Sequence, residues 1–103
     1  MSFVNLVFNK LDNGAKWHKG SYADMDMNCF CLFAATCETD PVEADHGTIL
    51  EDFQKSILEL FPERVPEDFH NASTGTIIKF NDHPDTKWED VVRVFENTEG
   101  FVK

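Results

Sequence analysis

The chain has 103 residues, enough for one domain that buries roughly two thirds of its unfolded surface, and its 42% apolar content, with ten Phe and two Trp, supplies a core without metal or disulfide staples. Nineteen Asp and Glu against nine Lys and Arg leave a net charge of -10, a surface that repels phosphate backbones and excludes direct nucleic-acid binding. Cys29, Cys31 and Cys37 are odd in number and crowded together, which excludes a disulfide framework; no basic segment leads into an apolar run at the N-terminus and no stretch nears the ~20 apolar residues of a membrane span, so the expectation is a cytoplasmic protein.

From Phe3 to Leu11 the apolar residues recur with a helical period that puts Val4, Val7 and Leu11 on one side. Ser2 is its expected cap, and Asn13-Gly14, at ease in left-handed backbone, closes it near Asp12. Residues 14–27 mix Trp17, Gly20, Tyr22 and Asp24-Met25-Asp26 without a sustained period and read as a structured loop or one short turn. The run from Cys29 to Cys37 is apolar on nearly every side, and its two Ala favour a buried helix over a central strand. Residues 38–47, with Pro41 and Gly47 among acids, read as an exposed loop.

Thr48-Ile49-Leu50-Glu51 matches a capping box, in which hydroxyl and carboxylate each satisfy a free N–H at a helix start. Leu50, Phe53, Ile57, Leu60 and Phe61 then form one stripe, Glu51, Asp52, Lys55 and Glu59 face away from it, and Pro62 ends the helix. Residues 62–76 read as a linker with a short turn around Glu67-Asp68-Phe69-His70, and residues 76–80 stay open between a short strand and a helical turn. Asp85-Thr86-Lys87-Trp88-Glu89 carries a second capping signature, and Trp88, Val91, Val92 and Phe95 extend a last helix from about Lys87 to Asn97. The expected fold class is mainly α: one compact domain over residues 1–103 with about four helices and room for one short strand or hairpin.

Three segments resemble an uncharacterised bacterial and phage domain family: Trp17-His18-Lys19-Gly20 after an N-terminal helix, Cys31-Leu32-Phe33-Ala34-Ala35, and Phe80-Asn81-Asp82-His83-Pro84-Asp85-Thr86 before the last helix. The family pattern carries Trp where Phe80 stands and a small residue where Phe33 stands, and the chain departs from it there. The resemblance implies a fold and transfers no activity.

Three groups of residues suggest chemistry. Cys29, Cys31 and Cys37 with His46 and His18 offer zinc donors, but cysteines two and eight apart on a helix point to different faces, so no metal and no cofactor is expected. Cys31 with His83 and Asn81 or Asp82 would make a thiol nucleophile with its base and orienter, yet no exposed turn presents the sulfur. Asn81 through Thr86 is dense in residues that cap helices, which explains it structurally; a metal or acid/base role for Asp82, His83 and Asp85 is the alternative. Gly14, Gly20 and Gly75 are isolated and make no phosphate loop.

The remaining feature is charge. Residues 38–68 hold ten acids and two bases, and so eight of the ten net negative charges. Glu38, Asp40, Glu43, Asp45, Glu51, Asp52, Glu59, Glu63, Glu67 and Asp68 are either a solvated face that keeps the protein soluble or a surface that presents carboxylates to a partner's Lys and Arg. The expected function is a small acidic interaction protein, phage-encoded, that binds the basic, nucleic-acid-holding surface of a host protein and inhibits it without itself touching nucleic acid or membrane. The alternatives are a small enzyme or metal-dependent module around Cys31, His83 and Asn81/Asp82, and a structural homo-oligomer packed through Trp17, Phe69 or Phe101.

Overall fold

The computed structural model describes residues 3–39 and 46–101. Its five α-helices are α1 (Phe3–Lys10), α2 (Leu32–Cys37), α3 (His46–Leu60), α4 (Ser73–Asp82) and α5 (Trp88–Asn97), with 3-10 turns at Asp12–Gly14, Pro62–Arg64 and Glu67–Phe69. No strand forms among the described residues; Phe30 makes two isolated bridges, parallel to Trp17 and antiparallel to Ala23. The expected mainly α fold is therefore the observed one, with five helices where about four were expected.

α1 buries Phe3, Val4 and Val7, and Leu11 beyond its end is fully buried on the same side. Ser2 lies outside the described residues. Positive φ at Asp12 (49°), Asn13 (51°) and Gly14 (95°) turns the chain back. A Cβ on Gly14 would stand 2.9 Å from the Trp88 ring, so the turn reaches α5 because that side chain is absent.

The apolar run from Cys29 to Cys37 is not one helix. Phe30 donates its N–H to the Lys16 carbonyl at 2.7 Å and accepts from the His18 N–H at 2.8 Å, which engages its backbone with the 16–18 segment. The helix can start only after it, at Leu32, with Cys31 as an extended N-cap residue whose Sγ accepts from the Ala34 N–H at 3.3 Å.

α3 is the centre of the fold and packs on α2, α4 and α5. Leu50, Phe53, Ile57 and Phe61 are buried while Glu51, Lys55 and Glu59 are exposed, as the stripe predicts, but Leu60, placed on it, and Asp52, placed opposite, are both half-buried. The helix starts at His46, so Thr48-Ile49-Leu50-Glu51 lies inside it and not at its head. Phe53 meets Phe95 edge-on at 5.2 Å and Phe61 stacks on Phe80 at 5.3 Å, pairs worth about 0.5–1.5 kcal/mol each beyond their burial.

Residues 76–80 are helical. Thr76, Ile77, Phe80 and Asn81 are buried in α4, a spacing that a helix places on one face and a strand does not; packing overrides the β-branched preference of Thr76, Ile77 and Ile78. α4 ends where His83 takes extended backbone (φ -62°, ψ 136°) ahead of Pro84. α5 is capped one residue later than the sequence signature suggests. Lys87 is its N-cap and Asp90 accepts from the Lys87 N–H at 3.1 Å, whereas Thr86 is buried behind it.

Candidate functional site

The segments Trp17–Gly20, Cys31–Leu32 and Asn81–Thr86 meet at one buried amide. Asn81, in the last turn of α4, is 0% exposed. Its Oδ1 accepts from Trp17 Nε1 at 2.7 Å and from the Leu32 N–H at 3.0 Å; its Nδ2 donates to the His18 carbonyl at 2.9 Å and to Asp82 Oδ1 at 3.0 Å. All four hydrogen-bonding capacities of the amide are filled, which fixes its orientation and leaves it none for a substrate. Around it, the Gly20 N–H donates to Asp82 Oδ1 at 2.9 Å, and Lys19 Nζ donates to the carbonyls of His83 and Thr86 at 2.7 and 2.8 Å. The node ties the 17–20 segment and the start of α2 to the end of α4.

Beside the node is a pocket of about 240 Å³, walled by residues 20–22, by the N-cap residue Cys31 and Phe33 of α2, and by Ile78 and Asp82 of α4. Cys31, Asn81 and Asp82 are thus brought together as the thiol reading requires, but His83 is not: its Nδ1 accepts from the Asp85 N–H at 3.1 Å. Burial pushes the Cys31 thiol up, and the Asp82 carboxylate adds to the effect, so at neutral pH Cys31 carries its proton and lacks the thiolate a nucleophile needs. Tyr22, 6.0 Å from the Phe33 ring in a T-shaped pair, donates its hydroxyl to Glu38 at 2.9 Å; burial and then that bond push the phenol up to about 12. Among the described residues no three His, Cys, Asp or Glu side chains are grouped to hold a metal ion, and the His46 side chain lies outside that description.

Of the ten acids of the central third, Asp40, Glu43 and Asp45 lie outside the described residues. Glu38 closes α2 and faces Tyr22; Glu63 and the pair Glu67 and Asp68 are exposed on the two 3-10 turns after α3. On α3, Glu51 and Glu59 are exposed and Asp52 is half-buried, and Asp52 and Glu59 line a small cleft with Lys55, Ser56, Asn97 and Glu99. Glu59 there accepts from Asn97 Nδ2 at 3.0 Å. Burial, then the charges of Glu99 and Glu51, push the Asp52 carboxyl up against the pull of Lys55. Glu99, absent from the sequence-based set, completes this edge from beyond the end of α5.

Five cations are engaged elsewhere. Lys10 lies over Phe30, Lys19 over Trp17, Lys79 over Phe69, and both Arg64 and Arg93 over Phe61. Arg64 also pairs with Asp90 at 2.6 Å. Trp17, Phe69 and Phe101, the surface proposed for a homo-oligomer, are half-buried against the core, and the large apolar side chains exposed among the described residues are Tyr22, Met25 and Met27.

No described helix is long and apolar enough to cross a membrane. One family model, that of a family of unknown function (DUF6197), matches residues 11–100, in line with the resemblance to an uncharacterised family. No curated protein and no solved structure matches the chain.

Proposed function

Because the chain belongs to this family of unknown function, DUF6197, we propose its role from its own surface: a small acidic binding protein whose α3 edge docks on a basic surface of another protein and blocks it. The observation that carries the proposal is the gathering of Glu51, Asp52, Glu59 and Glu99 around Lys55, the one cation beside them among the described residues, while five other cations lie over aromatic rings. Crowding like charge costs stability, and nothing in the core asks for it, since α3 buries Phe53 and Ile57 whatever stands on its outer face. A surface kept at such a cost fits selection for something besides folding. A cationic partner relieves the repulsion, and the long-range attraction accelerates encounter.

In its fuller form the proposal makes the chain phage-encoded and its partner a host protein whose basic surface holds nucleic acid, which docking then excludes. The immobilised chain is used to retain basic proteins from a bacterial lysate at low salt; the retained protein is identified, and its nucleic-acid binding is measured with and without the chain. The expected result is release of nucleic acid by the wild-type chain and none by the variant E51Q/D52N/E59Q/E99Q. Retention that ignores ionic strength, or equal release by the variant, contradicts the proposal.

A further inference from the structure

We infer that the pocket between Tyr22, Phe33, Ile78 and Asp82 is a docking site for one arginine side chain projecting from a basic segment of a protein partner. Its volume of about 240 Å³ lies below the ~300–1,000 Å³ of clefts that take drug-sized ligands and suits a single long side chain. Its walls are apolar and aromatic along their length, with the carboxylate of Asp82 among them. An arginine satisfies both parts at once: the aliphatic stem lies along Ile78 and Phe33, and the planar guanidinium meets a carboxylate and an aromatic face.

Asp82 is set for this. Its Oδ1 is already held by Asn81 Nδ2 at 3.0 Å and the Gly20 N–H at 2.9 Å, so the carboxylate is fixed in place before a ligand arrives. Lys19, next to Gly20, is committed to the carbonyls of His83 and Thr86, Lys79, next to Ile78, lies over the Phe69 ring, and no Lys, Arg or His lines the pocket. Glu38, which accepts the Tyr22 hydroxyl at 2.9 Å, adds a second negative charge behind that wall. The charge of the site is therefore complementary to a guanidinium and to the basic residues that flank it.

The surroundings favour a protein segment over a free small molecule. The loop that leaves the pocket at Tyr22 (41% exposed) carries Met25 (101%) and Met27 (46%) into solvent. That loop is held and not slack: Asp24 Oδ1 accepts from the N–H groups of Asn28 and Cys29 at 2.6 and 3.0 Å, and Met27 is kept at φ 57°. Ordered, exposed methionines next to a polar-ended pocket offer adaptable apolar area to residues on either side of the anchor. A lone guanidine would leave them uncovered.

This inference stands on different elements from the α3 edge and survives its failure. The test titrates the full-length, isotope-labelled chain, followed by NMR, with the blocked pentapeptide acetyl-Gly-Leu-Arg-Met-Gly-amide, with its citrulline twin of the same shape and no charge, and with acetyl-arginine methylamide. The arginine peptide is expected to shift the signals of Gly20, Tyr22, Phe33 and Ile78 to saturation. The twin and the variant Asp82→Asn are each expected to bind about tenfold more weakly, the loss of one charge-assisted pair, and E51Q/D52N/E59Q/E99Q to bind like the wild type. Equal binding by the twin, or shifts confined to α3, overturns the site; equal binding by acetyl-arginine methylamide overturns the protein segment as occupant. Should Asp82→Asn fail to fold, the twin on the wild-type chain decides alone.

Discussion

The Asn81 node and the α3 edge are both polar, and they differ in how their polarity is answered. At the node, one buried amide meets four partners, and Lys19 and Asp82 are drawn into the same network. At the edge, Glu51, Asp52, Glu59 and Glu99 have Lys55 as their one cation among the described residues and remain in contact with water. Of the residues that look chemical in the sequence, Asn81 and His83 are taken up in holding the fold, and Asp82 is tied to it through Oδ1 alone. The groups left with something to offer a partner sit on faces that look like ordinary solvated helix and loop.

If that contrast is right, the two regions respond to substitution with opposite signs. The largest effect belongs to the node. Asn81→Ala strands Trp17 Nε1, the Leu32 N–H and the His18 carbonyl inside the protein, and is expected to cost about 3 kcal/mol or more, read by denaturant unfolding; a loss under about 1 kcal/mol would remove the node's architectural role.

A smaller loss is expected for Asp90→Asn, which breaks the Arg64 pair and the bond to the Lys87 N–H, worth about 1–2 kcal/mol together. Burial opposes ionisation of Asp90, but Arg64 and the Lys87 N–H outweigh it and hold the carboxyl below the usual aspartate range. Its contribution is therefore complete above the unfolded value of ~3.9 and is lost as pH falls through the lower folded value. Thermal unfolding of wild type and variant across acid pH should converge only in that low window.

The smallest effect carries the opposite sign. The folded pKa of Asp52 lies above the unfolded one, so the cost of its charge is full at neutral pH and fades as pH falls through the folded value, vanishing below ~3.9. Solvent around the carboxyl screens that cost, so Asp52→Asn should stabilise the chain by at most about 0.5 kcal/mol near neutral pH and leave it unchanged in strong acid. A destabilised variant would show that the carboxylate is a fold-building group like those of the node.

Much of this architecture is legible in the residues. The stripe of α1, most of that of α3 and the stop at Pro62 follow from period and proline chemistry alone, whereas in α5 Val91 and Phe95 are buried as read but Val94 is buried and Val92 only half-buried. Local signals fail where distant partners decide. Thr76-Ile77-Ile78 has β-branched residues, yet burial of Ile77, Phe80 and Asn81 on one face settles the helix. The start of α2 is displaced by bonds from Phe30 to residues 16 and 18, and the cap of α5 passes from Thr86 to Lys87 because Thr86 is buried, with its carbonyl held by Lys19 and its hydroxyl near Arg64. The node is out of reach for the same reason: Trp17 and Asn81 are 64 residues apart in sequence, and no spacing announces their bond. Of the proposed acidic surface, Asp52 and Glu59 line one cleft and Glu51 stands exposed on the same helix, whereas Glu38 is turned to Tyr22 and Glu99 joins from an end that periodicity does not describe.

The central claim is that the α3 edge recognises a cationic protein, and the dependence of binding on salt tests it most directly. With the retained partner in hand, the association rate is measured from low to high ionic strength for the wild-type chain and for E51Q/D52N/E59Q/E99Q. The wild-type rate should fall steeply as salt rises, with the variant slower at low salt and nearly flat. Two parallel, equally steep curves would contradict the claim, placing the attraction on some other face of the molecule.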